Sequence, residues 1–480
     1  MTSKTLDCLL ISPPIFYKNT EAIWEQISSN FPPLGLAELA GYVRSTGFSV
    51  DVVDCNVMSP SVEGFEEYFV RSYQRVYSEI RYVGLTAMTP TVKKAYYIAR
   101  IVKRFYPDAR IVFGGVHATF QTAEVLSNGF VDYVVRGEGE YTLAELLSGG
   151  SPETIAGLAY RRGNEVVMNP ERPRIGRLDG LPMPAYDLLP ISRYYPAKGT
   201  FKNLPAMSLV TSRGCPGHCT FCNKTLGPQV VYKSAATIHR EIRYLMDNHG
   251  VREILFYDDT LTLNKNNILE LCRLLMEGTH RPTWTCFARV NHVDPDQLRL
   301  MRRAGCHQIM FGVENASETV LKNVKKEISL DQIRRAVAWT KQAGIDCRLA
   351  FMVGNPGDTR AVILENMRFI RELDPELLVV NITTPFPGTE MYEQARREGR
   401  LLTDDWDDYN LAKPVMRIDG MSVDEILEMY RAMYRAFYLR PRYMLGRLCR
   451  IRSWRELFRL ADGLKALLNF LVLKRSDSPA

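Results

Sequence analysis

Residues 212–224 read SRGCPGHCTFCNK and bring three cysteines, Cys215, Cys219 and Cys222, within eight positions. Three soft thiolates at this spacing can hold a metal centre, but a structural zinc site normally closes with four ligands. His218 is the nearest candidate for a fourth ligand, but it adjoins Cys219, and so short a link makes joint tetrahedral ligation awkward. The C-x3-C-x2-C spacing therefore favours a 4Fe-4S cluster that leaves one iron to a small chelating ligand.

Strand-like and helical segments alternate through residues 206–410, and the cysteine stretch follows the first strand. Six apolar strands are predicted, namely SLVTSRG, EILFYDD, TWTCFARV, QIMFGVEN, DCRLAFMVG and LLVVNIT. The helical segments are 234–248, 265–277, 295–304, 329–343 and 360–373. Six such units predict a full or partial TIM-like (β/α) barrel, whose reactive face is formed by the carboxyl ends of its strands.

The first 147 residues show the same alternation, with five short apolar strands separated by helical stretches. This pattern predicts an α/β, doubly wound (Rossmann-like) domain over residues 1–147. Ligands bind such sheets at the carboxyl ends of the strands, where this chain has loops of small or polar residues. The candidate binding residues in these loops are Gly114, Gly115, Gly137, Glu138 and Gly139. The alternative is that these glycines only form turns.

The remaining segments are assigned from composition. Residues 148–205 are rich in Pro, Gly and Arg and are predicted to form an extended linker. Residues 411–480 are predicted to form a helical, basic C-terminal region. Between positions 440 and 475, ten Lys or Arg stand against two acidic residues, which accounts for the formal charge of +7. The basicity therefore belongs to the tail, and no nucleic-acid partner is expected. A basic amphipathic tail favours peripheral contact with an anionic membrane, and a helix capping the barrel is the alternative.

The other seven cysteines sit singly in apolar or helical contexts, as buried thiols do in a reducing cytosol. The apolar run at the N-terminus is too short for a signal peptide, and no stretch reaches the roughly 20 apolar residues of a spanning helix. We therefore expect a cytoplasmic protein, peripheral to the membrane if the tail binds lipid.

The cysteine stretch resembles the signature of the radical S-adenosylmethionine superfamily, and Phe221 before the last cysteine also matches. Four later segments are similar to the same family, namely FYDDTLT at 256–262, GVEN at 312–315, MVGNPGDT at 352–359 and PFPGTEMY at 385–392. Together with the five-strand N-terminal domain and LDGLPMPAYDLLP in the linker, the chain resembles the cobalamin-dependent subgroup called class B. This resemblance covers nearly the whole chain.

The resemblance implies three cofactors: a 4Fe-4S cluster on Cys215, Cys219 and Cys222, S-adenosylmethionine on the free iron, and cobalamin between the two domains. The implied contacts to S-adenosylmethionine lie around the barrel mouth and are Phe221, Asp258, Asp259, Arg289, Glu314 and Gly354. A solvated carboxylate is the alternative for Glu314, and a structural salt bridge is the alternative for Arg289.

Cobalamin proteins of another kind supply a histidine to cobalt from a D-x-H-x-x-G pattern, and this chain lacks that pattern. No histidine on cobalt is therefore predicted. His117 is the only histidine among the first 147 residues, and we expect it to contact a loop or the cobalamin tail.

The resemblance implies an enzyme, and we expect methylation of an unactivated carbon. A 5'-deoxyadenosyl radical would abstract hydrogen, and methylcobalamin would deliver the methyl group. The alternatives are a radical cyclase or rearrangement enzyme of the same architecture, and a non-catalytic module that binds cobalamin or the cluster. A methylthiotransferase acting on tRNA is disfavoured, because residues 1–150 hold only Cys8 and Cys55 for a second cluster.

The expected partners are a small-molecule or lipid-like substrate and an external electron donor such as flavodoxin or ferredoxin. The sequence leaves the identity of the substrate open among lipids, tetrapyrroles, peptides and secondary metabolites.

Overall fold

The computed structural model describes residues 4–15, 29–59, 63–197, 199–278 and 281–449. In these residues two open sheets, each with helices packed against it, follow one another along the chain. The predicted α/β class, with a doubly wound sheet before a barrel-like one, is confirmed.

The first sheet has seven strands in the order β2-β1-β3-β4-β5-β6-β7. Its strands are β1 (Thr5–Ser12), β2 (Val50–Asp54), β3 (Glu79–Thr86), β4 (Arg110–Gly114), β5 (Tyr133–Val135), β6 (Leu158–Arg162) and β7 (Glu165–Met168). Its helices are α1 (Leu34–Ser45), α2 (Cys55–Met58), α3 (Phe65–Phe69), α4 (Val92–Phe105), α5 (Val116–Phe120), α6 (Thr122–Ser127) and α7 (Glu140–Leu147). The first five strands are parallel, so the loops at 86–91, 114–119 and 136–139 share one edge of the sheet.

Residues 148–205, expected to be an extended linker, contain structure that the composition did not indicate. Strands β6 and β7 form an antiparallel hairpin that extends the first sheet. Its apolar side chains, such as Leu158 and Ala159, are buried, and Gly163 takes a left-handed φ of 62° at the turn. The Gly-Asn dipeptide at 163–164 is a hairpin signal that explains the difference.

The second sheet has six parallel strands in the order β15-β14-β13-β12-β11-β8, which makes it a partial barrel. Its strands are β8 (Ala206–Leu209), β11 (Glu253–Phe256), β12 (Thr283–Ala288), β13 (Cys306–Glu314), β14 (Asp346–Val353) and β15 (Leu377–Ile382). A separate two-stranded ladder, β9 (Ser212–Arg213) with β10 (Val231–Tyr232), follows the first barrel strand.

The helices of the barrel begin at capping residues. The side chains of Ser234, Asn264, Asp294, Ser329 and Thr359 each accept a first-turn N–H. The helices are α8 (Ala235–His249), α9 (Lys265–Glu277), α10 (Pro295–Arg303), α11 (Glu318–Asn323), α12 (Leu330–Gln342), α13 (Arg360–Leu373), α14 (Glu390–Arg397), α15 (Val423–Tyr438) and α16 (Pro441–Cys449).

Side chains fill the barrel only in part. Side chains that face outward to the helices, such as Phe311 and Leu349, are fully buried. Their neighbours that face the lumen, such as Met310 and Arg348, are only half-buried. Ala350 and Met352, at the same alternation as Arg348, are buried, so the lumen is filled in part and open around Met310 and Arg348.

The amino end of the barrel is closed by the end of the former linker. Glu253 lies fully buried at the start of β11, and its Oε2 accepts the N–H groups of Lys202 at 3.1 Å and Asn203 at 3.0 Å. Its other oxygen lies 2.5 Å from His307 Nε2, and Gln308 donates to the carbonyl of Gly199 at 3.2 Å. Residues 199–205 therefore seal this end.

Helix α15 covers the free edge of β15. The hydroxyl of Tyr434 accepts from Val380 N at 3.0 Å and donates to Val380 O at 2.9 Å. Tyr438 does the same one turn later, with Leu378 N at 3.2 Å and Leu378 O at 2.7 Å. Two phenols thus satisfy backbone groups that an edge strand would leave open.

Candidate functional site

The three cysteines share one closed loop that follows the first barrel strand. The ladder of β9 and β10 pins both ends of the loop, and Cys215 N donates to the carbonyl of Gly227 at 3.2 Å. Gly214 has a φ of 100°, and a side chain there would collide with the carbonyl oxygen of Gln229. The tight turn before Cys215 therefore requires glycine.

The donor set suits a cluster better than a single ion. In the described part of the chain, no three His, Cys, Asp or Glu side chains converge as ligands of one metal ion. Zinc needs every sulfur about 2.3 Å from the same ion, whereas each thiolate of a 4Fe-4S cluster binds its own iron. His218 contributes no fourth ligand, because its Nδ1 lies 3.1 Å from Glu327 and the side chain points to solvent.

Lys326 contacts several of the residues predicted to bind S-adenosylmethionine and lies beside the cysteine loop. Its ammonium donates to Glu314 Oε1 at 2.7 Å and lies 6.0 Å from the centre of the Phe221 ring. Its carbonyl accepts a hydrogen bond from Arg289 at 2.6 Å. The structure therefore brings Phe221, Arg289 and Glu314 together. Sequence reasoning missed Lys326, because nothing in KNVKKEIS distinguishes it from the lysine beside it.

Glu314 ends β13 in an unusual conformation. Its φ is 67°, and the register between β13 and β14 shifts between Gly312 and Glu314. The bulge turns the carboxylate inward, where it is buried against Lys326. The alternative of a solvated strand-end carboxylate does not hold.

Arg289 extends from the end of β12 over the cysteine loop. Its Nη1 lies 4.0 Å from Cys219 Sγ, and a side chain at Gly217 would come within 2.7 Å of the same nitrogen. Among the described residues it forms no salt bridge, so the structural alternative is not observed. Its Nε is buried without a partner.

Asp258 braces the start of the loop. Its Oδ1 accepts hydrogen bonds from Thr211 N at 2.9 Å and from the hydroxyl of Ser212 at 2.5 Å. Burial raises the pKa of this carboxyl to about 6, against the lowering effect of these hydrogen bonds. Asp259 is exposed beside it. The two carboxylates therefore lie in different environments. That of Asp258 is hydrogen-bonded at the start of the loop, and that of Asp259 is open to solvent.

Within the described ranges of the chain, several buried polar atoms around the barrel mouth have no hydrogen-bond partner: Ser208 Oγ, Asp258 Oδ2, Thr260 Oγ1, Thr262 Oγ1 and Arg289 Nε. Each such atom costs about 1–3 kcal/mol unless a ligand or water satisfies it. A ligand with amino, carboxylate and hydroxyl groups, such as S-adenosylmethionine, has the chemistry to satisfy them.

Gly354 lies in the turn after β14. Its φ is 91°, and a Cβ there would lie 3.6 Å from the side chain of Ile426 on α15. The Asp358 carboxylate accepts the N–H groups of Gly354 and Asn355, both at 2.9 Å. The turn is therefore rigid and lies under α15.

The glycines of the first sheet divide into two kinds. Gly115 has a φ of 91° and packs tightly on Thr86 and Ala87, so it is a turn former. A Cβ at Gly137 meets no atom within 4 Å, and one at Gly114 meets only the carbonyl oxygen of Val135 at 3.9 Å. These two positions leave the space that a large cofactor needs. A Cβ at Gly139 would lie 3.6–3.8 Å from side-chain atoms of Leu39 and Val135, which is ordinary contact.

Glu138, which the sequence predicts as a cofactor contact, binds other groups of the protein through its carboxylate. Its carboxylate accepts from Arg213 at 2.8 Å and from Ile175 N at 2.7 Å. Arg213 also binds Glu38 at 2.7 Å and Glu140 at 2.5 Å. A buried arginine next to the cysteine loop is therefore held by three carboxylates of the first sheet's helices and loops.

Lys233 completes this buried network, with contacts to Glu38 at 3.1 Å and Glu241 at 3.0 Å. We name Glu38, Glu138, Glu140, Arg213, Lys233 and Glu241 the interdomain charge network. It fixes the carboxyl edge of the first sheet against the cysteine loop.

A second contact joins the same two regions. Phe120, after the fourth strand, lies directly on Gly388 in the PFPG turn, and Asn223 of the cysteine loop donates to Pro387 O at 3.1 Å. Met88 and Val116, on neighbouring loops of the first sheet, leave apolar surface exposed at this edge. The edge is thus suited to a large, partly apolar cofactor.

His117 is fully buried, and both its ring nitrogens have partners. Nδ1 lies 3.2 Å from the Thr89 hydroxyl and Nε2 lies 3.2 Å from Glu124, and the ring packs against Trp406. No ring nitrogen is left to face a ligand.

None of the helices in the described part of the chain combines the length and the apolar character that crossing a bilayer requires. The predicted amphipathic tail lies mostly beyond residue 449 and so outside the described residues.

Comparison with known proteins agrees with this geometry. The model of the radical SAM superfamily matches residues 209–370, and that of the B12 binding domain matches residues 21–147. An uncharacterized methyltransferase of Pyrococcus horikoshii is 34% identical over 451 residues, which cover 92% of this chain and 94% of that protein. An anaerobic magnesium-protoporphyrin IX monomethyl ester cyclase of Rubrivivax gelatinosus is 28% identical, over 87% of this chain and 76% of its own.

Solved structures share the fold. The radical S-adenosylmethionine methyltransferase TsrM from Kitasatospora setae, with cobalamin and a [4Fe-4S] cluster bound, superposes with a TM-score of 0.71 at 17% identity, over 97% of this chain and 99% of its own. The cobalamin-dependent enzyme OxsB gives a TM-score of 0.72 at 16% identity, over 98% and 72%. The resemblance and the three cofactors predicted from the sequence are confirmed. The chain belongs to the radical S-adenosylmethionine enzymes that carry a B12-binding domain, whose cofactors are a 4Fe-4S cluster, S-adenosylmethionine and cobalamin.

Proposed function

We propose that this protein is a cobalamin-dependent radical methyltransferase that transfers a methyl group to an unactivated carbon of a small molecule. The observation that carries the proposal is the interdomain charge network, which holds the cysteine loop beside the open edge of the B12-binding sheet. A relative named as a methyltransferase, similar over more than nine-tenths of both chains, supports it.

The proposed roles of the residues follow from their contacts. Cys215, Cys219 and Cys222 hold the cluster. When bound, the cluster supplies the electron that cleaves S-adenosylmethionine, and cobalamin supplies the methyl carrier. Glu314 and Arg289 orient S-adenosylmethionine through its polar groups, and Phe221, Asp258, Asp259 and Gly354 shape its surroundings.

In the first sheet, Gly114 and Gly137 give cobalamin close access to the backbone. Glu138 is assigned the role of positioning Arg213. No histidine of this domain is proposed as a ligand of cobalt, because His117 is enclosed by Thr89, Glu124 and Trp406.

A radical cyclase of the same architecture is the second candidate, since cyclases that act on magnesium-protoporphyrin IX monomethyl ester are also relatives. The two reactions differ in how they use S-adenosylmethionine. A methyltransferase of this kind consumes two molecules per turnover and forms S-adenosylhomocysteine and 5'-deoxyadenosine in about equal amounts. A cyclase transfers no methyl group and forms little S-adenosylhomocysteine.

The test incubates the reconstituted protein without oxygen with [methyl-13C]-S-adenosylmethionine, cobalamin, a chemical reductant and small-molecule extract of the source organism. We expect both nucleosides in about a 1:1 ratio and one new metabolite that carries the label. The triple Cys215→Ala, Cys219→Ala, Cys222→Ala variant should form neither nucleoside, while Cys272→Ala, a buried thiol on α9, should behave as wild type. Deoxyadenosine with an unlabelled product would contradict the proposal in favour of cyclisation.

Two further parts of the proposal concern partners. We propose that flavodoxin or ferredoxin supplies the electron in the cell. We also propose that the basic tail from Arg440 onward contacts anionic membrane, so that liposome binding falls with salt. Equal liposome binding by a chain that ends at Leu439 would contradict the second point.

A further inference from the structure

The lumen of the barrel contains one layer of side chains that differs from the rest. Phe287, Met310 and Arg348 are paired in register on three neighbouring strands, and Tyr257 lies next to Phe287 with ring centres 4.9 Å apart. Phe287, Met310 and Arg348 are half-buried, although the strands that carry them are covered by helices. The layer is therefore apolar and aromatic, with a single guanidinium facing the open space.

Arg348 has no counter-ion among the described residues. It forms no hydrogen bond or ion pair there, and burial lowers its pKa. The ionisable groups nearest to it are the phenols of Tyr257, Tyr438 and Tyr434. The hydroxyls of Tyr434 and Tyr438 already bind the backbone of β15. Burial raises the pKa of Tyr257, so its phenol is neutral as well.

Three buried cations elsewhere in the described residues are paired with carboxylates. Arg213, Lys233 and Lys326 each contact at least one buried glutamate at 3.1 Å or less. A partly buried charge without a partner is unfavourable, and an anion bound beside it would offset this cost. Arg348 differs from these three cations in having no carboxylate beside it in the described residues.

We propose that Arg348 binds an oxyanion of the substrate, a carboxylate or a phosphate, and that the substrate is an anionic small molecule with an apolar body. This inference rests on the proposed function, because it assigns the substrate class of the same barrel. Guanidinium binds either group with two parallel hydrogen bonds. Phe287, Met310 and Tyr257 supply the apolar surface around it.

The depth of Arg348 separates this subsite from the cofactor contacts. Glu314 pairs with Phe351 on β14, and Arg348 lies three residues before Phe351 along the strand. At about 3.3 Å per residue, the Cα of Arg348 is roughly 10 Å below the level of the Glu314 Cα. A substrate anchored at Arg348 extends from there toward the mouth, where its reacting carbon meets the cofactors.

The test measures binding of simple anions to the holoenzyme, reconstituted with cluster and cobalamin, so it needs no turnover. The probes are 3-phenylpropionate with its neutral match 3-phenylpropanamide, and phenyl phosphate with phenol, titrated by calorimetry. We expect at least one anion to bind 10-fold or more tightly than its neutral match. In Arg348→Gln this ratio should fall to about 1, while Arg348→Lys should keep a clear preference for the anion.

Arg334→Gln is the matched control, because Arg334 is exposed on α12 and pairs with Glu372 at 2.6 Å. It should keep the wild-type ratio. Tighter binding of phenyl phosphate would show that the subsite takes a phosphate, and tighter binding of 3-phenylpropionate would show that it takes a carboxylate. Both results support the inference.

Equal binding of anion and neutral match by wild type would overturn the inference, and so would an unchanged ratio in Arg348→Gln. A 10-fold loss of S-adenosylmethionine affinity in Arg348→Gln, with the probe ratio intact, would instead assign the guanidinium to the cofactor. Cluster content equal to wild type shows that the variant is folded. If the labelling experiment fails while the probes bind as expected, the reaction is wrong and the subsite stands.

Discussion

Lys325 and Lys326 are adjacent in the chain and form ion pairs of similar length, one exposed to solvent and the other buried. Lys325 Nζ lies 2.6 Å from Glu390, and both side chains are about half exposed. Lys326 Nζ lies 2.7 Å from Glu314, and both side chains are about one-tenth exposed. The backbone at Lys325 and at Glu327 is left-handed, which turns consecutive side chains to opposite sides of the loop. Comparing the two lysines therefore separates the effect of burial on the free energy of unfolding from the effect of charge.

We predict that Lys326→Met destabilises the protein by about 3–5 kcal/mol, because it leaves the Glu314 carboxylate buried without a partner. Lys325→Met should cost about 0–1 kcal/mol, as exposed ion pairs do. Urea unfolding of both variants measures the difference. Titration with S-adenosylmethionine should show weaker binding only for Lys326→Met, since that lysine positions Glu314. Similar losses for the two variants would show that Lys326 has no special role.

At the scale of elements, α15 supplies hydrogen bonds to the free edge of β15, as a seventh strand would. Tyr434 and Tyr438 are one turn apart, and alternate residues of β15 present their backbone groups to the same side. The spacing of the two phenols thus matches the spacing of open groups on the strand. This edge needs no further chain to satisfy it.

We predict that Tyr434→Phe and Tyr438→Phe each cost about 1–3 kcal/mol, because each removes a hydroxyl that serves one buried N–H and one carbonyl. Tyr97→Phe, an exposed tyrosine on α4, should change the free energy of unfolding by less than about 0.5 kcal/mol. Thermal unfolding with the cluster reconstituted is the measurement. Amide exchange should also speed up at Leu378 and Val380, and unchanged exchange there would refute the capping role.

The strands and helices with strong periodicity were predictable from the sequence. All six barrel strands were found, and the helices at 265–277 and 360–373 have the predicted bounds. The hairpin of β6 and β7 was missed, because a Pro- and Gly-rich composition masked the short apolar run at Leu158. The cysteine loop was predictable because thiolate chemistry demands its spacing. Lys326 and Arg213 were not, since their roles depend on partners more than ten residues away along the chain.

For the whole molecule, the interdomain charge network is the main polar connection between the two sheets. It contains four glutamates and two cations, all buried or nearly so. Glu38 is stabilised as an anion, and its pKa is lowered by Lys233 and Arg213 against the effect of burial. Burial raises the pKa of Glu241, although Lys233 opposes this. The network therefore depends on both cations being present.

We predict that Arg213→Met weakens the attachment of the two sheets, because it leaves Glu38, Glu138 and Glu140 without their shared partner. The loss should be about 3–5 kcal/mol, and calorimetric unfolding should broaden or split in two. Cobalamin affinity should fall as well, since the sheet edge would no longer face the cysteine loop. Arg243→Met is the control, because this arginine is exposed on α8 and pairs with Asp247 at 3.4 Å. A single transition with unchanged cobalamin affinity would refute this coupling.

The closed amino end of the barrel restricts how molecules reach its lumen. Glu253 and residues 199–205 close this end, so we expect molecules to enter the lumen from the end that the cysteine loop and the first sheet overlook. Molecules bound one above the other in such a lumen leave in the reverse of the order in which they bind. A molecule that binds at Arg348 has to bind before any molecule nearer the mouth of the barrel. It dissociates only after that second molecule has left.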